Sequence, residues 1–152
     1  MKYVIDSSVI LDMKHYYPEI FKELWEKFNE LVRTEQIISV KQAYNEITGR
    51  EDFLSKWAEK NKEIFHEPEI EEFTKVAEIL TNHKELIKKE SMIGGKPVAD
   101  PFLIAKAYSR KLILLTNETY TKNAHKIPNV CEEYNIQTMN LKEFMLNENW
   151  SF

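Results

Sequence analysis

The sequence predicts an α/β protein, built as a three-layer α/β/α sandwich around a central, mostly parallel sheet of four to five strands. Three observations predict this class. Residues 3–5 and 112–116 are short apolar runs without alternation, which is typical of parallel strands buried on both faces. Amphipathic helical patterns separate the strand-like runs along the chain. Strands that alternate with helices favour a parallel sheet with helices on both faces.

The first third of the chain is predicted to form a strand, a helix, a strand and a second helix. "YVI" at residues 3–5 is the first strand. Apolar residues recur at helical spacing between residues 20 and 32, which predicts an amphipathic helix. The β-branched run "QIISV" at residues 36–40 is the second strand. "KQAYNEITG" at residues 41–49 is a short helix that Gly49 ends.

The middle of the chain is highly charged and helical in pattern. Residues 51–90 carry two apolar stripes with a break near residues 66–68, which predicts a helical hairpin inserted between strands. "GGKP" at residues 94–97 indicates a flexible connection. Neither a linker nor an internal repeat divides the sequence, so we expect residues 1–152 to form one domain.

A further α/β unit and a closing helix complete the predicted fold. A helix begins at Asp100, directly before a proline, and leads into the strand "LILLT" at residues 112–116. "NIQTMN" at residues 135–140 is predicted as the last strand, and residues 141–146 as the closing helix.

Composition and charge exclude several classes of protein. A net charge of -4 argues against broad electrostatic attraction to DNA or to a membrane surface. No run approaches the roughly 20 apolar residues that span a bilayer, and the chain does not begin with the long apolar run of a signal peptide. Cys131 is the only cysteine, and the histidines show no zinc-ligand spacing. We therefore expect a cytoplasmic protein without membrane contact.

Four acidic residues are predicted to meet at the carboxyl ends of the strands, where open parallel sheets bind their ligands. Asp6 follows the first strand, and Glu118 follows "LILLTN". Glu46 lies about two turns into the helix after the second strand. Asp100 opens the helix that precedes "LILL", so the start of that helix is expected at the same edge of the sheet.

This clustering of carboxylates predicts a metal centre. Ionised carboxylates in one pocket raise each other's pKa values, and hard divalent cations compensate their charge. Carboxylate oxygens are the ligands that Mg²⁺ and Mn²⁺ prefer. One or two such ions polarise a phosphodiester and activate a bound water. The catalytic residues and metal ligands are then Asp6, Glu46, Asp100 and Glu118.

Each acid also has an ordinary structural interpretation when it is taken alone. Asp100 before a proline is a common helix start. Glu46 fits a solvated helix position, and Glu118 fits a polar turn after a strand. Asp6 is the hardest to explain in this way, because a buried acid needs a partner. Their shared location supports the metal interpretation.

The order of four motifs resembles the PIN-like nuclease superfamily over essentially the whole chain. The motifs are "YVIDSSVIL", "AYNEI", "VADPFLIAKA" and "LILLTNE". PIN domains typically carry Thr-x-Asp after the later strand, where this chain has Glu118. The tail "KIPNVCEEYNIQTMNLKEFM" and the helices that contain Trp25 and Trp57 resemble more specifically the DUF4411-type PIN-like family of bacteria and archaea.

The resemblance implies a metal-dependent endoribonuclease that hydrolyses RNA phosphodiesters. Such proteins are often the toxin of a toxin–antitoxin pair, as in the more distantly similar VapC-like proteins, so an antitoxin and a homodimer are implied partners. By position in the motifs, Asp6, Glu46, Asp100 and Glu118 are the implied metal ligands. Ser8 is expected to orient Asp6, and Thr116 is expected to do the same near Glu118.

Because the net charge is negative, we expect contact with RNA to come from a local rim of basic side chains and not from the whole surface. Each lysine or arginine of this rim also fits an ordinary solvent-exposed position. Tyr120 and His125 are available to stack on nucleotides or bond to them. The candidate substrate-binding residues are Lys96, Lys106, Arg110 and Lys122, with Lys126 beside them.

Other classes explain the sequence less well. A HAD-like phosphatase needs a second Asp where this chain has Ser8, and a P-loop does not fit because Pro97 follows Gly95 and Lys96. The serious alternative is a PIN-like fold that serves as a protein-interaction module with little or no catalysis. Metal binding at the acidic residues discriminates between the enzyme and the module.

Overall fold

A single five-stranded parallel sheet forms the centre of the molecule, as the sequence predicts. The computed structural model describes residues 1–86 and 98–152. All the strand pairs within these ranges are parallel. The strand order is β3-β2-β1-β4-β5, where the strands are β1 (Tyr3–Ile5), β2 (Ile37–Val40), β3 (Phe65–His66), β4 (Ile113–Leu115) and β5 (Thr138–Met139).

The central strand is β1, which explains its unbroken hydrophobicity. Val4 pairs with Ile38 on one side and with Leu114 on the other. All three residues of β1 are completely buried. Because helices cover both faces of this strand and other strands lie on both of its edges, neither face meets solvent. Apolar and polar residues therefore do not alternate along it.

Eight α-helices surround the sheet within the described residues. Two 3₁₀ turns, Met13–His15 and Lys62–Ile64, extend α1 and follow α4. The helices are α1 (Ser7–Asp12), α2 (Lys22–Arg33), α3 (Lys41–Ile47), α4 (Phe53–Lys60), α5 (Ile70–Asn82), α6 (Asp100–Arg110), α7 (Ile127–Glu133) and α8 (Leu141–Asn147).

Two hydrophobic cores lie on opposite faces of the sheet, which makes the sandwich three-layered. Tyr3 and Ile5 face the core that α1, α2, α4 and α8 cover, where Phe28 and Phe144 are buried. Val4 faces the other core, which α5, α6 and α7 cover. Successive side chains of β1 thus pack into different cores, because the side chains of a strand point alternately to the two faces of the sheet.

The segment after residue 51 differs from the predicted helical hairpin. The two expected helices, α4 and α5, are present, but the chain between them forms a 3₁₀ turn and then β3. Ser39 of β2 pairs with Phe65 of β3, so this segment adds an edge strand to the sheet. A two-residue strand is too short to show a periodic pattern. Residues 87–90 of the predicted hairpin and "GGKP" at 94–97 lie outside the described residues.

Helix α7 is a further difference, because the sequence reasoning assigned no helix there. Lys126 precedes it in an extended conformation, and a proline occupies its first turn, where the missing N–H costs nothing. Ile127, Val130 and Cys131 are buried against the sheet. By contrast, the predicted end of α3 is present, with Gly49 at a φ of 89° just past the helix.

Helices α5 and α6 are joined by a buried ion pair. Lys106 Nζ lies 2.6 Å from Glu72 Oε1, and both side chains are almost completely buried. The other carboxylate oxygen of Glu72 accepts the N–H of Glu69 and so closes a capping box at the start of α5. The expectation that Lys106 lies on an exposed substrate-binding rim is therefore corrected, because its amine is enclosed between two helices.

Candidate active site

The strand order creates a crevice at the carboxyl end of β1. From β1 the chain proceeds outward through β2 and β3, and then returns to the other side of β1 to form β4 and β5. Connections therefore leave β1 and β4 in opposite directions, which is the topological switch point where open α/β sheets bind ligands. Asp6 directly follows β1, and Thr116 directly follows β4.

Asp6 is buried in this crevice and held by two hydroxyl groups. It is 4% exposed, and its backbone N–H donates to the carbonyl of Leu115 at 2.8 Å. The Ser8 hydroxyl donates to Asp6 Oδ2 at 2.7 Å, and the Thr116 hydroxyl donates to the same oxygen at 2.9 Å. The two residues that were expected to orient the acids thus both fix the rotamer of Asp6.

Glu46 lies next to Asp6 through a contact that sequence reasoning missed. The Ser7 hydroxyl donates to Glu46 Oε1 at 2.7 Å and lies 3.5 Å from Asp6 Oδ1. The other oxygen of Glu46 accepts the N–H of Ala99 at 3.3 Å. Glu46 thereby connects the first turn of α1 with the residue before α6. The feature of the sequence that could have indicated a role for Ser7 is its position directly after an acid at a strand end.

Asp100 is buried at the start of α6, where it is the first residue of the helix. It is 8% exposed. The N-cap position belongs to Ala99, whose N–H contacts Glu46. The ordinary interpretation of Asp100 as the N-cap residue is therefore wrong, because Asp100 lies one position inside the helix.

Glu118 approaches the crevice from the opposite side. It is half-buried, and its Oε2 accepts the N–H of Ile127, the first residue of α7, at 2.9 Å. Burial, together with the Glu118 carboxylate, raises the pKa of the Cys131 thiol to about 12. The thiol is consequently un-ionised at neutral pH and chemically inert.

Asn117 is a positioning residue that sequence reasoning also missed. Its backbone N–H donates to the Ser8 hydroxyl at 3.1 Å, and its side-chain oxygen accepts the N–H of Leu141 at 3.2 Å. It therefore ties the turn after β4 to the starts of α1 and α8. Its only signal in the sequence is its place between Thr116 and Glu118.

The electrostatics of the crevice oppose the charge of Asp6. Burial raises the pKa of the Asp6 carboxyl, and the carboxylates of Glu118 and Glu46 raise it further. The hydrogen bonds from Ser8 and Thr116 act in the other direction and lower this pKa. Since Asp6 senses both other carboxylates, the three acids occupy one electrostatic environment.

The donor set suits a hard divalent cation, although the side chains do not form a closed cage. Hydroxyl oxygens contact the Asp6 carboxylate and other carboxylates lie near it, and such oxygens are the preferred ligands of Mg²⁺ and Mn²⁺. In the part of the chain that the structure describes, no three His, Cys, Asp or Glu side chains lie close enough together to hold a metal ion. The site is thus an acidic crevice whose oxygen atoms suit Mg²⁺ or Mn²⁺, although the described side chains are not arranged closely around one point.

The candidate substrate-binding cations lie in different places. Lys122 is exposed on the loop 117–126, which also carries Glu118. Arg110 pairs with Glu69 at the far end of α6, a helix of 11 residues and so about 16 Å long, whereas Asp100 lies at its near end. Lys106 is buried, as described above, and Lys96 lies outside the described residues. Lys122 is thus the member of this set that is exposed on the loop that carries Glu118.

The family model named Domain of unknown function (DUF4411) matches residues 3–152, so the chain belongs to the DUF4411 family. The resemblance to the DUF4411-type family that the sequence motifs show is thereby confirmed.

A solved structure supports the same fold. A chain in the crystal structure of VapBC2 from Rickettsia felis bound to a DNA fragment from their promoter is similar, with a TM-score of 0.54 and 14% sequence identity. The match covers 92% of this chain and 98% of that chain. At this identity the similarity shows the fold alone. No curated protein matches the sequence.

Within residues 1–86 and 98–152, no helix is both long and apolar enough to span a membrane.

Proposed function

We propose that the protein is a Mg²⁺- or Mn²⁺-dependent endoribonuclease that hydrolyses RNA phosphodiesters in the cytoplasm. The observation that carries this proposal is the buried Asp6, which lies at the switch point of the sheet and faces the carboxylates of Glu46 and Glu118. An acid in that environment is stabilised by a bound cation. The proposed metal ligands are Asp6, Glu46, Asp100 and Glu118.

The protein supplies the positioning for this chemistry. When bound, a divalent cation polarises the phosphodiester and lowers the pKa of a water nucleophile. Ser8 and Thr116 hold Asp6 in one rotamer, so its second oxygen is directed away from their hydroxyls. The Ser7 hydroxyl and the Ala99 N–H hold Glu46 beside it. Groups that are fixed before substrate binds need no reorganisation during the reaction.

Contacts with RNA are proposed for the loop 117–126. Tyr120 is 57% exposed there, so its ring is available to stack on a base. Lys122 is exposed on the same loop and supplies a positive charge for a phosphate. A local contact of this kind suits a chain whose net charge is -4.

We further propose that the protein acts as the toxin of a toxin–antitoxin pair. The fold similarity to a chain of the VapBC2 crystal structure supports this role. The pairing implies a small antitoxin protein as a partner, and a homodimer remains the expectation from the PIN-like resemblance.

A second candidate function is a protein-interaction module with little or no catalysis. The observation that favours it is the spacing of the acids, since no three of them in the described residues lie close enough to hold a metal ion. The module predicts no metal binding at the crevice, whereas the enzyme predicts binding that depends on Asp6.

The endoribonuclease proposal is tested with total cellular RNA and Mn²⁺. We expect wild-type protein to degrade the RNA and EDTA to stop it. Asp100→Asn removes one proposed ligand charge and should lower the rate at least about 100-fold. Asp12→Asn, at an exposed acid that lies near His15 and is not a proposed ligand, serves as the matched control and should cleave like wild type. Equal RNA loss with wild type and Asp100→Asn, or loss that EDTA does not affect, contradicts the proposal.

A further inference from the structure

A histidine pair lies outside the acidic crevice, and the proposed reaction does not use it. His83 follows α5, and His125 lies in the loop 117–126. Their Nδ1 atoms are 2.8 Å apart. On the other side of the His83 ring, Nε2 lies 2.8 Å from Glu133 Oε2 on α7. Three separate parts of the fold thus meet at one point.

The contacts of His83 determine where its hydrogen lies. An ionised carboxylate only accepts hydrogen bonds, so His83 Nε2 donates to Glu133. In the neutral ring, His83 Nδ1 then carries a lone pair that is directed at His125 Nδ1. A neutral imidazole binds metal ions through such a lone pair, and a carboxylate on its other nitrogen typically orients it.

We propose that His83 and His125 bind one transition-metal ion of the Zn²⁺ class through their Nδ1 atoms. Binding replaces the hydrogen between the two rings, and this hydrogen moves to Nε2 of His125, so the rings remain neutral. Two nitrogens on a tetrahedral zinc, each about 2.0–2.1 Å from it, are about 3.3 Å apart. The rings must therefore separate by about half an ångström, which the exposed position of His125 on a loop permits.

The surroundings leave room for the remaining ligands. A surface pocket of about 610 Å³ adjoins the pair and is lined by Tyr120, Asn129 and Glu132 among others. Among the described residues no third His, Cys, Asp or Glu side chain completes a metal-binding group here, and Glu133 contacts the outer nitrogen of His83, so two imidazoles hold the ion and waters complete its coordination. Imidazole favours Zn²⁺, Ni²⁺ and Cu²⁺, whereas Mg²⁺ favours oxygen, so this site differs in chemistry from the crevice.

An ion at this site joins the loop 117–126 to the end of α5. The same loop carries Glu118, which is hydrogen-bonded to the start of α7. Binding to the folded state alone raises its stability, so Zn²⁺ should increase the melting temperature.

Calorimetric titration of wild-type protein with Zn²⁺, in excess Mg²⁺ to occupy the crevice, tests this proposal. We expect one ion to bind per chain. His125→Ala should lose this binding, and Glu133→Gln should weaken it about tenfold or more because it removes the orienting charge. Asp6→Asn should bind Zn²⁺ like wild type, which separates this site from the proposed nuclease centre. His15→Ala, at an exposed histidine near Asp12, is the matched control.

Three outcomes overturn the proposal. They are the absence of Zn²⁺ binding by wild type, unchanged binding by His125→Ala, and loss of binding in Asp6→Asn. His125 is exposed on a loop, so its variant should fold, and circular dichroism without metal checks this. The Glu133→Gln variant provides an independent readout, because both histidines stay in place.

Discussion

Asp6 combines deep burial with a charge that its surroundings oppose. Two hydroxyl donors partly compensate the loss of water, but the carboxylates of Glu46 and Glu118 add repulsion. Functional sites commonly retain such unfavourable groups at the expense of stability. In the proposed nuclease, the cation that binds there removes this penalty.

Replacing Asp6 with Asn should therefore stabilise the metal-free protein at neutral pH. The folded-state pKa of Asp6 is raised above its ordinary value of 3.8, so the stability contribution of this group is present at low pH and lost as pH rises. At pH 7 the variant avoids the buried charge, and its amide oxygen still accepts from Ser8 and Thr116. We expect a gain of about 1 kcal/mol in the free energy of unfolding, the usual size of one stabilising substitution.

Urea unfolding in EDTA measures this gain. It should shrink as the pH falls toward 4, because wild-type Asp6 becomes protonated as well. Asp12→Asn, at an exposed carboxylate, should change stability little at any pH. A destabilised Asp6→Asn at pH 7 without metal would show that the burial of Asp6 is not a penalty.

The sequence was sufficient to locate the acids but not all of the side chains that hold them. Asp6, Ser8 and Thr116 lie at strand ends, and strand ends are recognisable from apolar runs. Ser7 and Asn117 are bonded to Glu46 and to Leu141, respectively, which lie in other elements. Contacts of this kind depend on tertiary geometry, which a single sequence does not display.

At the scale of elements, a buried charge pair joins α5 and α6. Lys106 and Glu72 are each nearly fully buried, and Val76, Ile79 and Leu103 belong to the core on the same face of the sheet. A buried charge without its partner is strongly destabilising, because nothing replaces its lost hydration. The pair is thus expected to be essential for packing these two helices.

Lys106→Met should destabilise the protein by about 3–5 kcal/mol, because Glu72 then remains buried without a cation. Adding Glu72→Gln to that variant should restore part of the loss, since the amide still accepts the N–H of Glu69. Arg110→Met removes the exposed ion pair with Glu69 and should have a much smaller effect. Urea unfolding of the three variants measures this. If Lys106→Met is as stable as Arg110→Met, the pair does not hold the helices together.

Long, periodic elements were predictable, and short ones were not. Helix α2 and strand β2 have clear patterns, and both lie where the sequence places them. Strand β3 has two residues at the edge of the sheet, and its pairing with β2 defines it. Helix α7 begins in a polar segment with a proline, which resembles a loop until Ile127 and Val130 are seen to be buried. The burial of Lys106 was not predictable from the sequence, because its partner Glu72 lies on another helix.

At the scale of the whole molecule, the strand order determines where the candidate site lies. The sequence predicts parallel strands that alternate with helices, and that pattern alone implies a ligand site at the carboxyl edge of the sheet. The observed order puts β1 at the centre, so Asp6 lies at the switch point. The histidine pair was not predictable from spacing, since His83 and His125 are separated by 42 residues in the chain.

Calorimetric titration with Mn²⁺ tests whether the acidic crevice holds a divalent cation through Asp6. We expect wild-type protein to bind Mn²⁺ at millimolar concentration or below and Asp6→Asn to bind it at least about tenfold more weakly. Asp12→Asn, the exposed control, should bind like wild type. Absence of binding by wild-type protein at millimolar Mn²⁺, or equal binding by wild type and Asp6→Asn, would contradict the proposed metal site.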